Sequence, residues 1–177
     1  MRSSIASVCF AAAGLLMSAA SAQEPATAAA QLQGLNGEDH GAVSLSQTPH
    51  GVLLVATLRG LPEGVHGFHV HETGECEPPF KSAGGHFNPT DASHGLMNPD
   101  GMHAGDMPNI HVPASGDLQI EVLNPQLSLD PDEDGNLIDD DGSAILVHSG
   151  ADDYTSDPAG NAGDRIACGV ITTDPAR

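Results

Sequence analysis

Six short stretches of this chain alternate apolar and polar residues with period two, and no long stretch repeats with the 3.6-residue period of a helix. They are "GAVSLSQ", "GVLLVATLRGL", "VHGFHVHE", "DLQIEVL", "AILVH" and "RIACGVI", separated by turn clusters such as Leu61-Pro62-Glu63-Gly64 and Ala114-Ser115-Gly116-Asp117. Alternation of this kind puts one face of each strand on a core and leaves the other for solvent or loops. The pattern predicts an all-β chain, a Greek-key β-barrel or sandwich of about eight antiparallel strands around one core. Two long segments break the rhythm. Glu72–Asn109 is rich in Gly, Pro, His and Asn, and His148–Asp164 in Gly, Ser and Asp. Structureless loops of that length in a compact domain are usually functional or anchored.

The first 22 residues, "MRSSIASVCFAAAGLLMSAASA", combine one Arg, an apolar run and the small residues Ala20-Ser21-Ala22. They read as a signal peptide cleaved near Ala22, too short in its apolar part to span a bilayer, and Cys9 leaves with it. "QEPATAAA" (23–30) reads as a flexible leader, and 31–177 as a single domain. The expected location is periplasmic or secreted. The full chain has 5 basic and 24 acidic residues, a net charge of −19, and removal of Arg2 with the signal makes it −20. Such a surface repels nucleic acid and anionic lipid, so neither is an expected partner. Two cysteines remain after export, Cys76 and Cys168, and in an oxidising compartment they read as one disulfide.

"HGFHVHETGECEPP" carries the chemistry. His69 and His71, at i and i+2 of a strand, present two imidazoles on one face while Val70 faces the other way. The loop that follows adds His86, His94, His103 and Asp106, and "ILVHSG" adds His148. With no thiolate in the set, an iron–sulfur site and a Cys-type zinc site are excluded. Three His and one Asp suit tetrahedral zinc, and four His suit tetragonal Cu(II). These seven ligands would fill two four-coordinate sites only if one imidazole bridged them, which spacing alone leaves open.

Taken together, "GFHVHE", "GGHFNP", "HAGDMPN", "VHSGADDY" and "GNAGDRIACGVI" resemble copper/zinc superoxide dismutase of the exported bacterial type, from about Gln31 to Ile171. The resemblance implies that His69, His71, His86 and His148 hold copper and that His86, His94, His103 and Asp106 hold zinc, one ion of each per subunit. His86 would be the shared imidazolate. It also implies that Asp152 hydrogen-bonds His69 and His94 behind the metals, that Arg165 guides the anion, and that Cys76–Cys168 pins the metal loop to the last strand. The implied reaction converts two superoxide anions to dioxygen and hydrogen peroxide by alternate reduction and reoxidation of copper, with His86 carrying a proton. Members of the family occur as monomers or homodimers, and the sequence does not choose between them. A metal-handling protein on the same fold is the competing reading, and Arg165 favours the enzyme.

Other features carry less. His40, His50, His66 and His111 match no ligand motif and read as surface or loop residues. Met97, Met102 and Met107 read as gap-fillers. "DPDEDGNLIDDD" places Asp130, Asp132 and Asp134 at the first ligand positions of an EF-hand loop, with Asp141 where the bidentate Glu belongs, so calcium is a possible further cofactor.

Overall fold

The computed structural model of the protein describes residues 26–173, so the expected signal peptide lies outside the described residues. Nine strands form in chain order: β1 Thr27–Gly34, β2 Asp39–Thr48, β3 Gly51–Leu58, β4 Gly64–His66, β5 Phe68–His71, β6 Ile110–Val112, β7 Leu118–Asn124, β8 Ala144–His148 and β9 Arg165–Val170. Among the described residues the sole helical element is one 3-10 turn, Lys81–Ala83. All strand pairs are antiparallel. One seven-stranded sheet runs β5-β8-β9-β1-β2-β3-β7 and curls into a half-barrel, with the β4–β6 pair beside it. The chain leaves β3, builds β4 to β6 elsewhere and returns as β7 beside β3, the long connection of a Greek key. Among the described residues, no helix is long and apolar enough to cross a membrane.

The inward face of each strand supplies the core: Ala28, Ala30 and Leu32 from β1, Val43 and Leu45 from β2, Val52, Leu54 and Leu58 from β3, Phe68 and Val70 from β5, and Ile145 and Val147 from β8. Each fully buried Val, Leu, Ile or Phe contributes about 1.5–3 kcal/mol over its exposed state. Two departures from expectation appear. Thr27–Ala30, expected in the flexible leader, belong to β1, because alternate alanines are enough to fill the core against β2. The single expected strand through "VHGFHVHE" breaks at Gly67, whose amide donates to Gly150 O. A Cβ there would lie 3.0 Å from both Ala162 Cβ and His69 Cε1.

β8 is buried on both faces, and this positions the site. Ile145 and Val147 enter the main core, while Ala144 and Leu146 face outward into a second apolar cluster with Phe80, Ala83, Cys168 and Cys76. β5 follows the same division: Phe68 and Val70 point inward, and His69 and His71 point outward beneath the long loops. The histidines therefore sit on the outer surface of the sheet, with the core behind them and loops above.

Candidate metal centre

Four imidazoles meet on this outer face. His69 and His71 come from β5, His148 from the end of β8, and His86 from the loop after β5, with one ligand nitrogen of each inside a common 4.8 Å span. Every ring has its other nitrogen occupied. His69 Nε2 donates to Asp152 Oδ2 at 2.8 Å, and His71 Nδ1 to Gly84 O at 3.1 Å. His86 Nδ1 lies 2.7 Å from Asp106 Oδ1, and His148 Nδ1 is 3.4 Å from Gly163 O. The nitrogens left over, His69 Nδ1 and the Nε2 atoms of His71, His86 and His148, face one another. Three buried side-chain polar atoms among the described residues have no hydrogen-bond partner, and two of them are His69 Nδ1 and His86 Nε2. A buried donor or acceptor without a partner is costly, and four imidazole nitrogens converging this way fit Cu(II).

The second cluster shares His86. Nδ1 of His86, His94 and His103 converge on Oδ1 of Asp106 at 2.7, 3.1 and 3.2 Å. Zinc bonds of about 2.0–2.1 Å to a tetrahedral set would separate the ligand atoms by about 3.3 Å, so three nitrogens and one oxygen at these spacings fit zinc. Asp106 Oδ2 accepts the Gly95 and His103 amides at 2.9 and 3.1 Å, which fixes the carboxylate. Asp152 joins the two clusters: Oδ2 accepts His69 Nε2–H, and Oδ1 accepts His94 Nε2–H at 3.1 Å.

The electrostatics favour neutral imidazoles and charged carboxylates, the forms that bind metal. Burial, with repulsion from neighbouring rings, pushes His86 down to about 4 despite its bond to Asp106. Burial and the charges of His69, His86 and Arg165 push His148 down to about 3, although its bond to Gly163 O acts the other way. His71 falls well below its ordinary value for the same main reason, burial. Burial alone would raise Asp106, but hydrogen bonds from His86 and the Gly95 amide, with nearby imidazole charge, hold it well below the usual carboxylate range. Asp152 is lowered by the same balance, through His69, His94 and the Tyr154 amide.

Arg165 opens β9 as the cross-strand partner of His148, across a bulge in the β8–β9 pairing. Its guanidinium donates to Phe80 O and Gly84 O. Burial lowers its pKa and the Glu72 carboxylate opposes that, but an arginine at this site remains charged. Cys76 and Cys168 are joined as a disulfide, with Cα atoms 5.7 Å apart, tying the loop that holds Phe80 and Gly84 to β9.

The sequence model of the family described as copper/zinc superoxide dismutase (SODC) matches residues 21–171. The chain belongs to that family. "Superoxide dismutase [Cu-Zn] 2" of Aquifex aeolicus (strain VF5) is 51% identical over 90% of this chain and 95% of its own. "Superoxide dismutase [Cu-Zn]" of Caulobacter vibrioides is 46% identical over 82% of this chain and 85% of its own. A crystal structure of a SOD-like protein from Bacillus subtilis superposes with a TM-score of 0.78 at 39% identity, covering 80% of this chain and 96% of that one. The activity of this family member is superoxide dismutation, an oxidoreductase reaction, with copper and zinc as its cofactors.

In this dismutase three further residues support the site, none of them given a role by the sequence analysis. His66, expected at the surface, is buried, with its ring nitrogens 2.8 Å from His148 O and 2.9 Å from Pro62 O. Asn109 forms a reciprocal pair with the Asp152 main chain, donating to its carbonyl at 2.8 Å and accepting its amide at 2.9 Å. Glu72 accepts the Gly85 amide at 2.8 Å. Of the methionines, Met107 is a buried core residue, whereas Met97 is 72% exposed and fills no gap.

The acidic loop is not drawn together as the EF-hand spacing suggests. Among the described residues, only the two histidine clusters bring three or more ligand atoms together, and Asp130, Asp132, Asp134 and Asp141 form no such group. All four are exposed. The Asp130 side chain accepts the Asp132 amide at 3.0 Å, and the turn is anchored by buried Leu127, Leu129 and Leu137.

Proposed function

We propose that His69, His71, His86 and His148 hold copper in this dismutase, that His86, His94, His103 and Asp106 hold zinc, and that His86 is the imidazole both ions share. The observation that supports this best is the pair of opposed nitrogens on one ring: Nδ1 among the zinc donors and Nε2 without a protein partner among the copper donors. Copper, when bound, supplies the alternation between two oxidation states that consumes one superoxide by oxidation and the next by reduction. Everything else is done by the chain. Asp152 and Gly84 O orient the rings. His86 would be the proton carrier, since its Nε2 has no protein partner and can hold a proton and pass it to the product.

Arg165 draws the anion in. On a chain of net charge −19 the global field opposes superoxide, so attraction has to be local. At physiological salt the Debye length is about 8 Å, so remote carboxylates are screened while a cation beside His148 is not. Of the three other basic residues in the mature chain, Arg59 is paired with Asp39, Lys81 is exposed, and Arg177 lies outside the described residues. Residues 1–22 act as an export signal, and the single catalytic domain includes β1 and so begins no later than Thr27; an oxidised Cys76–Cys168 pair and bacterial relatives support an exported enzyme.

The test is direct superoxide decay on protein of measured copper and zinc content. Fully loaded protein should consume superoxide rapidly. Arg165→Glu should slow it at least about tenfold and reverse its salt dependence with both metals still bound. A loaded wild-type protein that left superoxide untouched would transfer the metal-site reading to copper handling, and full activity in Arg165→Glu would remove the guiding role.

A further inference from the structure

The copper-side machinery converges on one peptide group. Gly84 O accepts from both His71 Nδ1 and the Arg165 guanidinium, so this single carbonyl aims a ring of the copper set and the cation beside it. The N–H of that same planar peptide belongs to Gly85, and it donates to Glu72 Oε1 at 2.8 Å. Planarity couples the two ends: whatever fixes the N–H fixes the direction of the carbonyl. A peptide between two glycines has little of its own to prevent rotation, and Gly84, at φ +73°, adopts a backbone that side chains rarely allow. The Glu72 arm lies flat against it, so a Cβ on Gly84 would meet Glu72 Cγ at 2.7 Å and Oε1 at 2.6 Å. Glu72 also grips from its main chain, its amide donating to Gly85 O at 3.0 Å.

We propose that Glu72 is a positioning residue: its carboxylate fixes the Gly84–Gly85 peptide and so holds the carbonyl that aims Arg165 and His71. An exposed carboxylate close to the guanidinium works against the arrival of an anion. Its contribution is therefore the hydrogen bond and not the charge. The proposal rests on the role given to Arg165 above.

Glu72→Gln and Glu72→Ala separate the two effects. Both remove the charge, and only Gln keeps the arm and an oxygen that can accept the Gly85 amide, so their difference reports the hydrogen-bonding arm and not the charge. In protein loaded with copper and zinc, the Gly85 amide should exchange about fivefold faster in Glu72→Ala than in Glu72→Gln, with the change confined to the segment around it. The Cu(II) electron paramagnetic resonance spectrum, which senses His71, should shift in Glu72→Ala and be restored in Glu72→Gln. Superoxide decay should be at least about threefold slower in Ala than in Gln at equal metal content. Identical exchange and spectra in the two variants would overturn the proposal, and so would a rise in exchange spread evenly over the sheet. If Arg165→Glu kept full activity, the guiding role would fail by itself, because the exchange and spectral difference between the Glu72 variants would persist.

Discussion

Asp152 divides its carboxylate between the two metal clusters, and each oxygen accepts an Nε2–H that leaves Nδ1 as the ring's free donor atom. Removing it lets His69 and His94 change tautomer and rotate. Asp152→Ala is expected to weaken both copper and zinc binding by about 10- to 100-fold, the usual cost of losing such a partner. Competition titration against a chelator measures this, and a loss at one metal only would show that the bridge is not shared. Asp152→Asn should be intermediate, since an amide offers one oxygen to two N–H donors. The seven residues of the two clusters were legible as candidates in the sequence because strand period and motif spacing single them out. Asn109, His66 and Glu72 were not. Asn109 grips a main chain 43 residues away and His66 one 82 residues away, and a bond to a backbone carbonyl or amide leaves no mark on the partner's identity. Glu72 stands beside a ligand in "HVHE", but its target is a glycine peptide brought near only by the fold of the loop.

At the scale of elements, the outward face of β8 and β9 carries the second apolar cluster, and the disulfide fastens the metal loop over it. Cys76 and Cys168 are 92 residues apart in sequence. Closing a loop of that length removes unfolded-state entropy worth roughly 4–5 kcal/mol in the chain-entropy model. Cys168→Ser should therefore lower the melting temperature by about 10 °C or more, as read by calorimetry. Copper should be lost more readily than zinc. The loosened loop supplies Phe80 O and Gly84 O to the copper side, whereas Asp106 is held by its own local amides. Unchanged unfolding with full copper occupancy would count against this. The longer strands were legible as alternating runs. β1 was overlooked because its inward residues are mostly alanines, small enough to resemble a flexible tail, and β6 because three residues are too few to show a period. The division of "VHGFHVHE" into β4 and β5 depends on Ala162 and His69 crowding Gly67, a contact the sequence does not encode locally.

For the whole molecule, charge makes two opposite demands as pH falls. The chain carries 24 acidic residues against 5 basic, so acid relieves its self-repulsion, and on that account alone the fold would gain stability. The buried histidines act the other way. His86 and His148 are held near 4 and 3, and His71 well below its ordinary value, whereas in the unfolded chain each takes its proton near pH 6.5. Between those values the unfolded state binds more protons than the folded one. Stability is thus fully present above about pH 6.5 and drains as pH falls towards 4, by about 1.4 kcal/mol per pH unit for each such proton. Asp106 and Asp152, lowered in the fold, add a loss of the same sign at still lower pH. The exposed carboxylates are screened by salt, so the buried histidines should dominate. The melting temperature of protein stripped of copper and zinc is therefore expected to fall on acidification from pH 7 to 4.5. Metal-loaded protein should hold its stability further into acid, because bound ions keep the imidazoles deprotonated. In a His148→Gln variant without metal, the slope should be shallower by about one proton. Calorimetry across this range at constant ionic strength decides the matter: a melting temperature that rises on acidification would mean that the surface charge, and not the buried histidines, governs how this fold responds to pH.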